Sequence, residues 1–350
     1  MKKLLLCLLV AMSLLAVQTQ AGERVWPKGT PTVFVGFGAG GGTDTAVRPL
    51  IVKMQEYIGE TINVVNMPGA SSGVAAAHVM SQPNDGYSIF STGTGCYAGF
   101  VVNETAPAAA PWAWEFFLPF QGPAAMIVNP EKSGISTVEE AIEALKQDKA
   151  SIGLSGFGAG IHVISEAFLD AAGIPSANFV TFDSCRSTTV GVMAGEVEIG
   201  FITFSSGIDF AKSGDVKVLF LNQTQPMKLT DTLTAPPIVE AFPAGKDMPM
   251  LAEAWGLHIR RDAPKPIVDK LREAFAWACQ QPELKKFAEE NALNLVGLTG
   301  EPAAKMADYQ YSAYAWILHK ANLAEIDPAE AGITKVADWD WETRKKEYGY

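Results

Sequence analysis

Short apolar runs alternate with longer segments of helical period along most of this chain. The first set reads strand, helix, strand, helix, strand, over residues 32–37, 43–59, 62–67, 72–82 and 87–93. Strands that alternate with helices are usually joined by crossover connections, which place neighbouring strands parallel. The pattern therefore predicts an α/β fold whose parallel sheet carries helices on both faces.

The alternation breaks once and then resumes. Residues 103–123, NETAPAAAPWAWEFFLPFQGP, are rich in Pro, Ala and aromatic side chains, and we predict a crossing between two domains there. The next helix is predicted to open at Ser136, because Glu139 three residues later completes a capping-box pattern. The elements predicted after the break occupy residues 124–130, 136–148, 150–156, 160–173, 177–182, 188–195, 197–203, 216–222, 254–261, 266–280, 282–292 and 302–322.

The first residues predict where the protein works. Lys2 and Lys3 precede an apolar run from Leu4 to Val17, and small residues follow up to Ala21. This order is typical of a secretory signal peptide over residues 1–21. The apolar run is shorter than a membrane span requires. We therefore expect an exported, soluble protein.

Composition narrows the class of function. The 350 residues fit about two domains, and the formal net charge is −11. Such a surface repels nucleic acid, and any anion site must be built locally. Beyond the signal peptide there are three cysteines, Cys96, Cys185 and Cys279, too few for a disulfide scaffold. We expect no disulfide, and the scattered histidines argue against a metal site.

The string GFGAG occurs twice, at residues 36–40 and 156–160, each time after a predicted strand and before a predicted helix. Glycines at such a turn let a ligand approach the backbone. The N–H groups and the positive end of the helix then attract an anion. We therefore predict two half-sites that face each other across a cleft. Asp44 is predicted to bond N–H groups at its own helix start.

A dinucleotide site is the rival interpretation of the first loop, which formally matches GxGxxG at Gly36, Gly38 and Gly41. That motif needs an acidic residue about 20 positions later, at the end of the next strand, to hold the ribose. The next strand ends in Val64, Val65 and Asn66 instead. We therefore expect no cofactor.

Several segments together resemble one known family. VGFGAGGGTDTAVRPL, VVNMPGASSGVAAAHVMSQPNDGYSIF, SGFGAGIH, AGEVEIGF and EAWGLHIRRDAPKPIVDKLREAFAWACQQPELKKFAEENALNLVGL resemble the substrate-binding receptors of tripartite tricarboxylate transporters, also called Bug-type receptors. The resemblance runs from about Val33 to Leu298. It departs from the family at TFDSCRST, where Cys185 and Arg186 replace the usual residues.

The resemblance implies two Rossmann-like α/β domains, joined by two crossings, that close on a ligand. We place residues 22–122 and 250–350 in the first domain and residues 123–249 in the second. It also implies a periplasmic receptor, not an enzyme, that delivers a small carboxylate to the subunits of a membrane permease. We expect a monomer.

The resemblance further implies which residues bind the ligand. The glycine loops are expected to hold one carboxylate through backbone N–H groups, and side chains near residues 91–95 and 181–188 are expected to reach the rest. The predicted ligand-binding residues are Phe37, Gly38, Ala39, Gly40, Gly41, Gly42, Thr43, Ser91, Thr92, Thr94, Ser155, Gly156, Phe157, Gly158, Ala159, Gly160, Asp183, Ser184 and Arg186.

Some alternatives stay open. Arg186 either grips a second carboxylate of the ligand, pairs with Asp183, or is solvated. An exported hydrolase or lyase acting on a small carboxylate in the same cleft is the alternative function. Cys96 would be its candidate nucleophile, but no histidine in the sequence is tied to it as a base.

Overall fold

A computed structural model describes residues 26–248 and 250–350. The predicted signal peptide, residues 1–21, lies outside the described residues. The strands are β1 (Thr32–Val35), β2 (Asn63–Asn66), β3 (Ser88–Gly93), β4 (Trp114–Gly122), β5 (Ala124–Val128), β6 (Ser151–Leu154), β7 (Asn178–Thr181), β8 (Ile199–Thr203), β9 (Lys217–Leu221), β10 (Met227–Lys228), β11 (Thr234–Ala235), β12 (Glu253–Arg260) and β13 (Asn294–Thr299).

The helices separate most of these strands. They are α1 (Gly42–Ile58), α2 (Gly73–Ser81), α3 (Tyr97–Val102), α4 (Pro130–Ser133), α5 (Val138–Lys146), α6 (Gly160–Ala171), α7 (Cys185–Ala194), α8 (Ile208–Ser213), α9 (Ile238–Ala241), α10 (Lys265–Cys279), α11 (Pro282–Glu290), α12 (Glu301–Lys320) and α13 (Trp341–Arg344).

Two mixed sheets organise the described chain. The first has the order β13-β4-β12-β3-β1-β2, and the second has the order β7-β6-β8-β5-β9. In the first sheet, β1 pairs parallel with β2 and β3, as the alternating pattern predicts. In the second, β6 pairs parallel with β7 and β8. Antiparallel strands extend both sheets, and β12 enters the first sheet beside β3.

Each sheet has its own apolar core. One cluster of buried side chains covers the second sheet, from Ala124 to Met248. Two clusters belong to the first sheet; one contains Phe90, Trp114 and Tyr314, and the other contains Val33 and Trp255. Burial of these apolar side chains stabilises each sheet with its helices, and Ala159 and Val163 from the second half also pack into the cluster that contains Tyr314.

The chain passes from one sheet to the other immediately after β4. The predicted crossing at residues 103–123 is therefore too wide, because Trp114–Gly122 is a strand of the first sheet, between β13 and β12. Its side chains are buried almost throughout, so no alternation marks it as a strand. The register shifts near Pro119, where a strand lacks an N–H to donate.

Two helix starts differ from the predictions. The capping box is formed by Thr137 and Glu140, one residue later than the predicted Ser136 and Glu139. Helix α7 begins at Cys185 rather than at residue 188, and the Ser184 hydroxyl caps it by accepting from Ser187 N–H.

The C-terminal tail, which has no clear period, packs onto α12. Arg344 Nη2 lies 2.8 Å from Asp308 Oδ1, and the Tyr348 hydroxyl and Trp339 Nε1 also donate to this carboxylate. Asp308 is buried, so the ion pair and its hydrogen bonds hold the tail against the first sheet's helices.

Candidate functional site

A small cavity lies where the two glycine loops meet. It is lined by residues of both sheets' loops and strand ends, namely Phe37, Gly41, Gly42, Thr43, Ser155, Ala159, Gly160, Ile161, Cys185, Thr203, Glu253 and Trp255. Seven of the predicted ligand-binding residues therefore come together at one point. They are Phe37, Gly41, Gly42, Thr43, Ser155, Ala159 and Gly160.

The two helices that follow the glycine loops, α1 and α6, lack a side-chain cap. The N-cap of α1 is Gly41 and that of α6 is Ala159, and neither residue caps its helix through a side chain, although Gly160 N–H faces the Cys96 sulfur. The first N–H groups of any α-helix have no partner within the helix. Two sets of backbone donors, each at the positive end of a helix, therefore lie at the same cavity.

A side chain one turn into each helix fixes the loop before it. The Asp44 carboxylate accepts from Gly40 N–H at 2.9 Å, which confirms its predicted local role, and it also accepts from Arg48 and Asn66. Burial alone would raise the pKa of Asp44, but these hydrogen bonds outweigh it and the pKa is lowered. In the second loop, His162 Nδ1 accepts from Gly158 N–H at 3.0 Å.

Each loop packs closely against the opposite half of the molecule. Gly38 N–H donates to the Asp183 carbonyl at 2.9 Å, and the Ser71 hydroxyl donates to the Phe157 carbonyl. A Cβ at Gly41 would lie 2.9 Å from Ser184 Cβ. Glycine is therefore needed here partly because another backbone segment approaches it.

The cavity leaves about 20 Å³ open to the centre of a water molecule. One such centre needs roughly 10–15 Å³. A ligand of several heavy atoms therefore enters only when the two glycine loops separate.

A wider groove of about 450 Å³ adjoins this cavity and shares Phe37 and Ser155 with it. Three further predicted residues, Gly156, Phe157 and Asp183, line the groove. Its floor includes a tight turn in which Ala70, Ser71 and Ser72 all have positive φ angles. The Ser71 hydroxyl bond to Phe157 holds this turn against the second glycine loop.

The remaining predicted residues lie outside both spaces. Gly38, Ala39, Gly40 and Gly158 belong to the loops but not to the cavity wall. The hydroxyls at the end of β3 face other strands and helices: Ser91 donates to the Gly256 carbonyl at 2.8 Å, and Thr94 donates to Gln310. Thr92 is buried beside them.

Ser184 and Arg186 also have partners of their own. Ser184 caps α7, as described above. Arg186 does not pair with Asp183; its guanidinium lies 3.1 Å from Asp209 and 4.5 Å from the centre of the Phe210 ring. Its side chain packs beside Gly40. Whether Arg186 reaches a ligand stays a prediction.

Sequence reasoning missed four lining residues, Ile161, Thr203, Glu253 and Trp255, and included Cys185 only within the range 181–188. Glu253 carried a usable signal, because it is a charged residue at the start of the apolar strand EAWGLHI. Since β12 runs antiparallel to β3, its first residue lies at the carboxyl end of β3. Ligands in open α/β sheets bind at that edge.

Glu253 is the acidic group of the cavity. Burial raises its pKa to about 7, and a hydrogen bond from Gly95 N–H only partly offsets this. Among the lining residues, which all lie in the described part of the chain, there is no Lys, Arg or His. Electrostatic attraction for an anion therefore comes from the helix ends alone.

The thiols near the cavity are poor nucleophiles. Cys96 and Cys185 are buried and free, and burial raises the pKa of each thiol. The thiolate is the form that attacks a substrate, and burial disfavours it at both cysteines. The geometry therefore gives no support to cysteine catalysis.

Two features are absent from the described part of the chain. In residues 26–248 and 250–350, no helix is long and apolar enough to span a membrane. Within the same residues, no cluster of three or more His, Cys, Asp or Glu side chains is arranged to hold a metal ion.

Solved structures with similar folds include periplasmic binding proteins. The periplasmic binding protein BugD matches with a TM-score of 0.76 and 22% sequence identity, covering 85% of this chain and 99% of BugD. MatC from Rhodopseudomonas palustris, with bound malate, matches with a TM-score of 0.74 and 20% identity, covering 84% of this chain and 100% of MatC. These matches confirm the predicted two-domain α/β fold.

Sequence comparisons indicate the family. A UPF0065 protein of Bordetella pertussis is 25% identical over 296 residues, which cover 81% of this chain and 87% of the relative. The family model described as "Tripartite tricarboxylate transporter family receptor" matches residues 46–323. The match covers most of the chain, from within α1 to just beyond α12, and so the chain belongs to the tripartite tricarboxylate transporter receptor family.

Proposed function

We propose that this receptor captures a small organic acid with at least two carboxylates and delivers it to a tripartite tricarboxylate-type membrane permease. The observation that carries the proposal is the convergence of two uncapped helix starts, at Gly42 and Gly160, on one cavity. Free N–H groups at two positive helix ends suit a carboxylate, which accepts several hydrogen bonds at once.

The rest of the wall supports the same chemistry. Thr43, Ser155 and Thr203 offer hydroxyl groups beside the backbone donors. The groove beside the cavity extends the site toward Phe157 and Asp183, which gives room for a longer ligand once the loops separate. The malate bound by MatC fits this class of ligand.

The proposal includes domain closure. We assign residues 22–122 and 250–350 to one domain and residues 123–249 to the other, because the two sheets divide along these lines. Each domain then carries one glycine loop. Ligand binding favours the closed arrangement only if the ligand makes more contacts there than in the open one. We further propose that the protein acts as a monomer in the periplasm.

Binding is tested by calorimetry of the purified mature protein with malate, succinate, citrate and glutarate. We expect saturable binding of at least one acid, and a smaller radius of gyration in X-ray scattering at saturation. Absence of binding by all four acids contradicts the proposed function. Binding with an unchanged radius contradicts the closure.

Two variants sharpen this test. In Gly42→Val, the new side chain overlaps Thr203 on the opposite sheet, so we expect loss of closure and binding with retained fold. Gly29→Ala is the matched control, because its Cβ meets only Tyr87 at an ordinary 3.7 Å. The acid is also recovered after incubation with the protein and identified. An unchanged acid supports a binding role, whereas a chemically converted acid would favour the hydrolase or lyase alternative.

A further inference from the structure

Glu253 lies in a cradle made of glycines from both halves of the molecule. A Cβ at Gly95 would lie 3.1 Å from Glu253 Oε1, a Cβ at Gly160 would lie 3.0 Å from it, and a Cβ at Gly93 would overlap it. Gly160 is the first residue of α6, one of the two uncapped helices. The Glu253 carboxyl therefore sits beside the donors that the proposed function assigns to a ligand anion, and it lines the same cavity.

The groups that face this carboxyl carry no positive charge. The titratable ones are Cys96 from the turn after β3, Tyr314 from α12 and Cys185 from α7. Burial raises the pKa of all three, so they are neutral at physiological pH. No ion pair in residues 26–248 and 250–350 involves Glu253, which is 6% exposed.

We propose that Glu253 recognises the bound anion in its protonated form, so that an anion that meets an ionised Glu253 enters the receptor together with one proton. This inference rests on the proposed function. A ligand carboxylate and an ionised Glu253 in one buried cavity would repel each other without a cation to balance them. Protonation removes the repulsion, and the resulting hydroxyl can donate a hydrogen bond to the ligand. The proton comes from solvent.

The ligand-free protein is poised for this exchange. Burial raises the pKa of Glu253 to about 7, so part of the population is ionised at neutral pH. A nearby anion raises the pKa further, because it disfavours a second negative charge. Above pH 7, binding of a fully ionised acid should therefore weaken by about tenfold per pH unit.

The rival interpretation is a ligand with an ammonium group that pairs with ionised Glu253. It predicts the opposite pH dependence, since ionisation of Glu253 would then strengthen binding. Malate and aspartate separate the two ideas, because they share both carboxylates and differ in a hydroxyl or an ammonium group.

The test is calorimetry of malate binding at pH 8 in two buffers with different ionisation enthalpies, which counts the protons taken up. For the wild-type protein we expect close to one proton per malate. Glu253→Gln keeps a donor and an acceptor but cannot ionise. We expect it to take up no proton, and to bind malate about tenfold more tightly than the wild type at pH 8. Glu196→Gln, an exposed site, is the matched control and should behave as the wild type.

The outcomes are distinct. Malate binding with no proton uptake in the wild-type protein overturns this inference and leaves the proposed function standing. Tighter aspartate binding at high pH, lost in Glu253→Gln, overturns it in favour of ammonium recognition. No binding of malate, succinate, citrate or glutarate between pH 5.5 and 8.5 overturns the proposed function and this inference with it. The proton count of the wild-type protein decides the matter even if Glu253→Gln does not fold.

Discussion

The two GFGAG loops share five residues but place them differently. In the first loop, the helix begins at Gly42, two residues after the string ends, whereas in the second it begins at Gly160, the last residue of the string. Gly40 and Gly158 are the true equivalents, since both lie two residues before the helix and have φ angles of 74° and 76°. The identical strings are therefore offset by two positions in the structure.

The offset shows what the loops have in common. Asp44 and His162 occupy the same position of the two helices, and each accepts from the left-handed glycine four residues earlier. A carboxylate and an imidazole thus perform the same task. Backbone conformation and a one-turn side-chain anchor define the half-site, while the repeated string only marks the region.

The largest expected difference between the loops comes from an acidic side chain that lies beside the start of only one of the two helices. Only the second loop's helix has Glu253 beside it. The folded-state pKa of about 7 lies above the ordinary 4.5, so the native state holds a proton that the unfolded state releases. Stability contributed by the neutral form is lost as pH rises from about 4.5 to 7, by about 3 kcal/mol in total.

Urea unfolding at pH 5 and pH 8 checks this expectation in the wild-type protein and in Glu253→Gln. The wild type should lose about 2–3 kcal/mol more than the variant between the two pH values, because pH 5 already lies above the ordinary pKa of 4.5. Parallel pH profiles for the two proteins would show that Glu253 keeps the same ionisation in the folded and unfolded states.

The anchor of the first loop gives the next largest effect. Asp44→Asn removes the charge that holds Arg48 while keeping the side-chain shape. We expect the first loop to open more easily by about 2 kcal/mol, the scale of a hydrogen bond to a charged group. Hydrogen exchange at Gly40 N–H should then speed up about 30-fold, while Gly158 N–H is the internal control.

The stabilisation that Asp44 gives to the first loop should be lost at low pH. Because hydrogen bonds lower the folded-state pKa of Asp44 below 3.8, its stabilising contribution is present above about pH 4 and is lost as pH falls through the lowered value. The difference between wild type and Asp44→Asn should shrink in acid. Equal acceleration at Gly40 and Gly158 would mean that the two loops open as one unit.

Exchanging the N-cap residues of α1 and α6 tests how closely each glycine loop must approach the opposite side of the cleft. The second loop already has Ala159 where the first has Gly41. Gly41→Ala would place a Cβ 2.9 Å from Ser184 on the opposite side, so closure should become harder by about 1–2 kcal/mol. We expect Gly41→Ala to bind malate about tenfold more weakly than the wild type. Ala159→Gly is the matched variant and should bind malate with nearly wild-type affinity. If the two variants changed malate affinity equally, the two loops would not differ in how tightly their N-cap residues pack across the cleft.

Much of the fold could be predicted because its signals are local. The strands β1 to β3 and β6 to β9 are apolar runs separated by helical periods. Strand β4 could not be predicted, because Pro119 and a run of buried aromatic side chains hide any alternation of apolar and polar residues. Strand β13 is a short edge strand interrupted by Gly297, whose φ is 57°.

The candidate site divides in the same way. The loop residues that line the cavity could be named in advance because glycine strings before a helix have a physical meaning in isolation. Glu253 was missed because its place depends on the pairing of β12 with β3, two strands that lie far apart in the sequence. Ser91 and Thr94 were expected at the ligand because strand ends face the cleft, but their hydroxyls bond to the neighbouring β12 backbone.

The smallest expected effect concerns the side chain that packs on each left-handed glycine. Gly40 lies beside Arg186, whereas Gly158 lies beside Asn103. Arg186 is held by Asp209, in a pair whose side chains are 40% and 56% exposed. Exposed pairs of this kind contribute about 0–1 kcal/mol, so Arg186 can leave Asp209 at little cost.

If Arg186 grips a second carboxylate, Asp209→Asn should tighten malate binding by about threefold, and Arg186→Ala in the same background should abolish the gain. A monocarboxylate such as lactate should respond to neither change. Equal responses of malate and lactate, measured by calorimetry, would show that Arg186 supports the first loop and does not contact the ligand's second carboxylate.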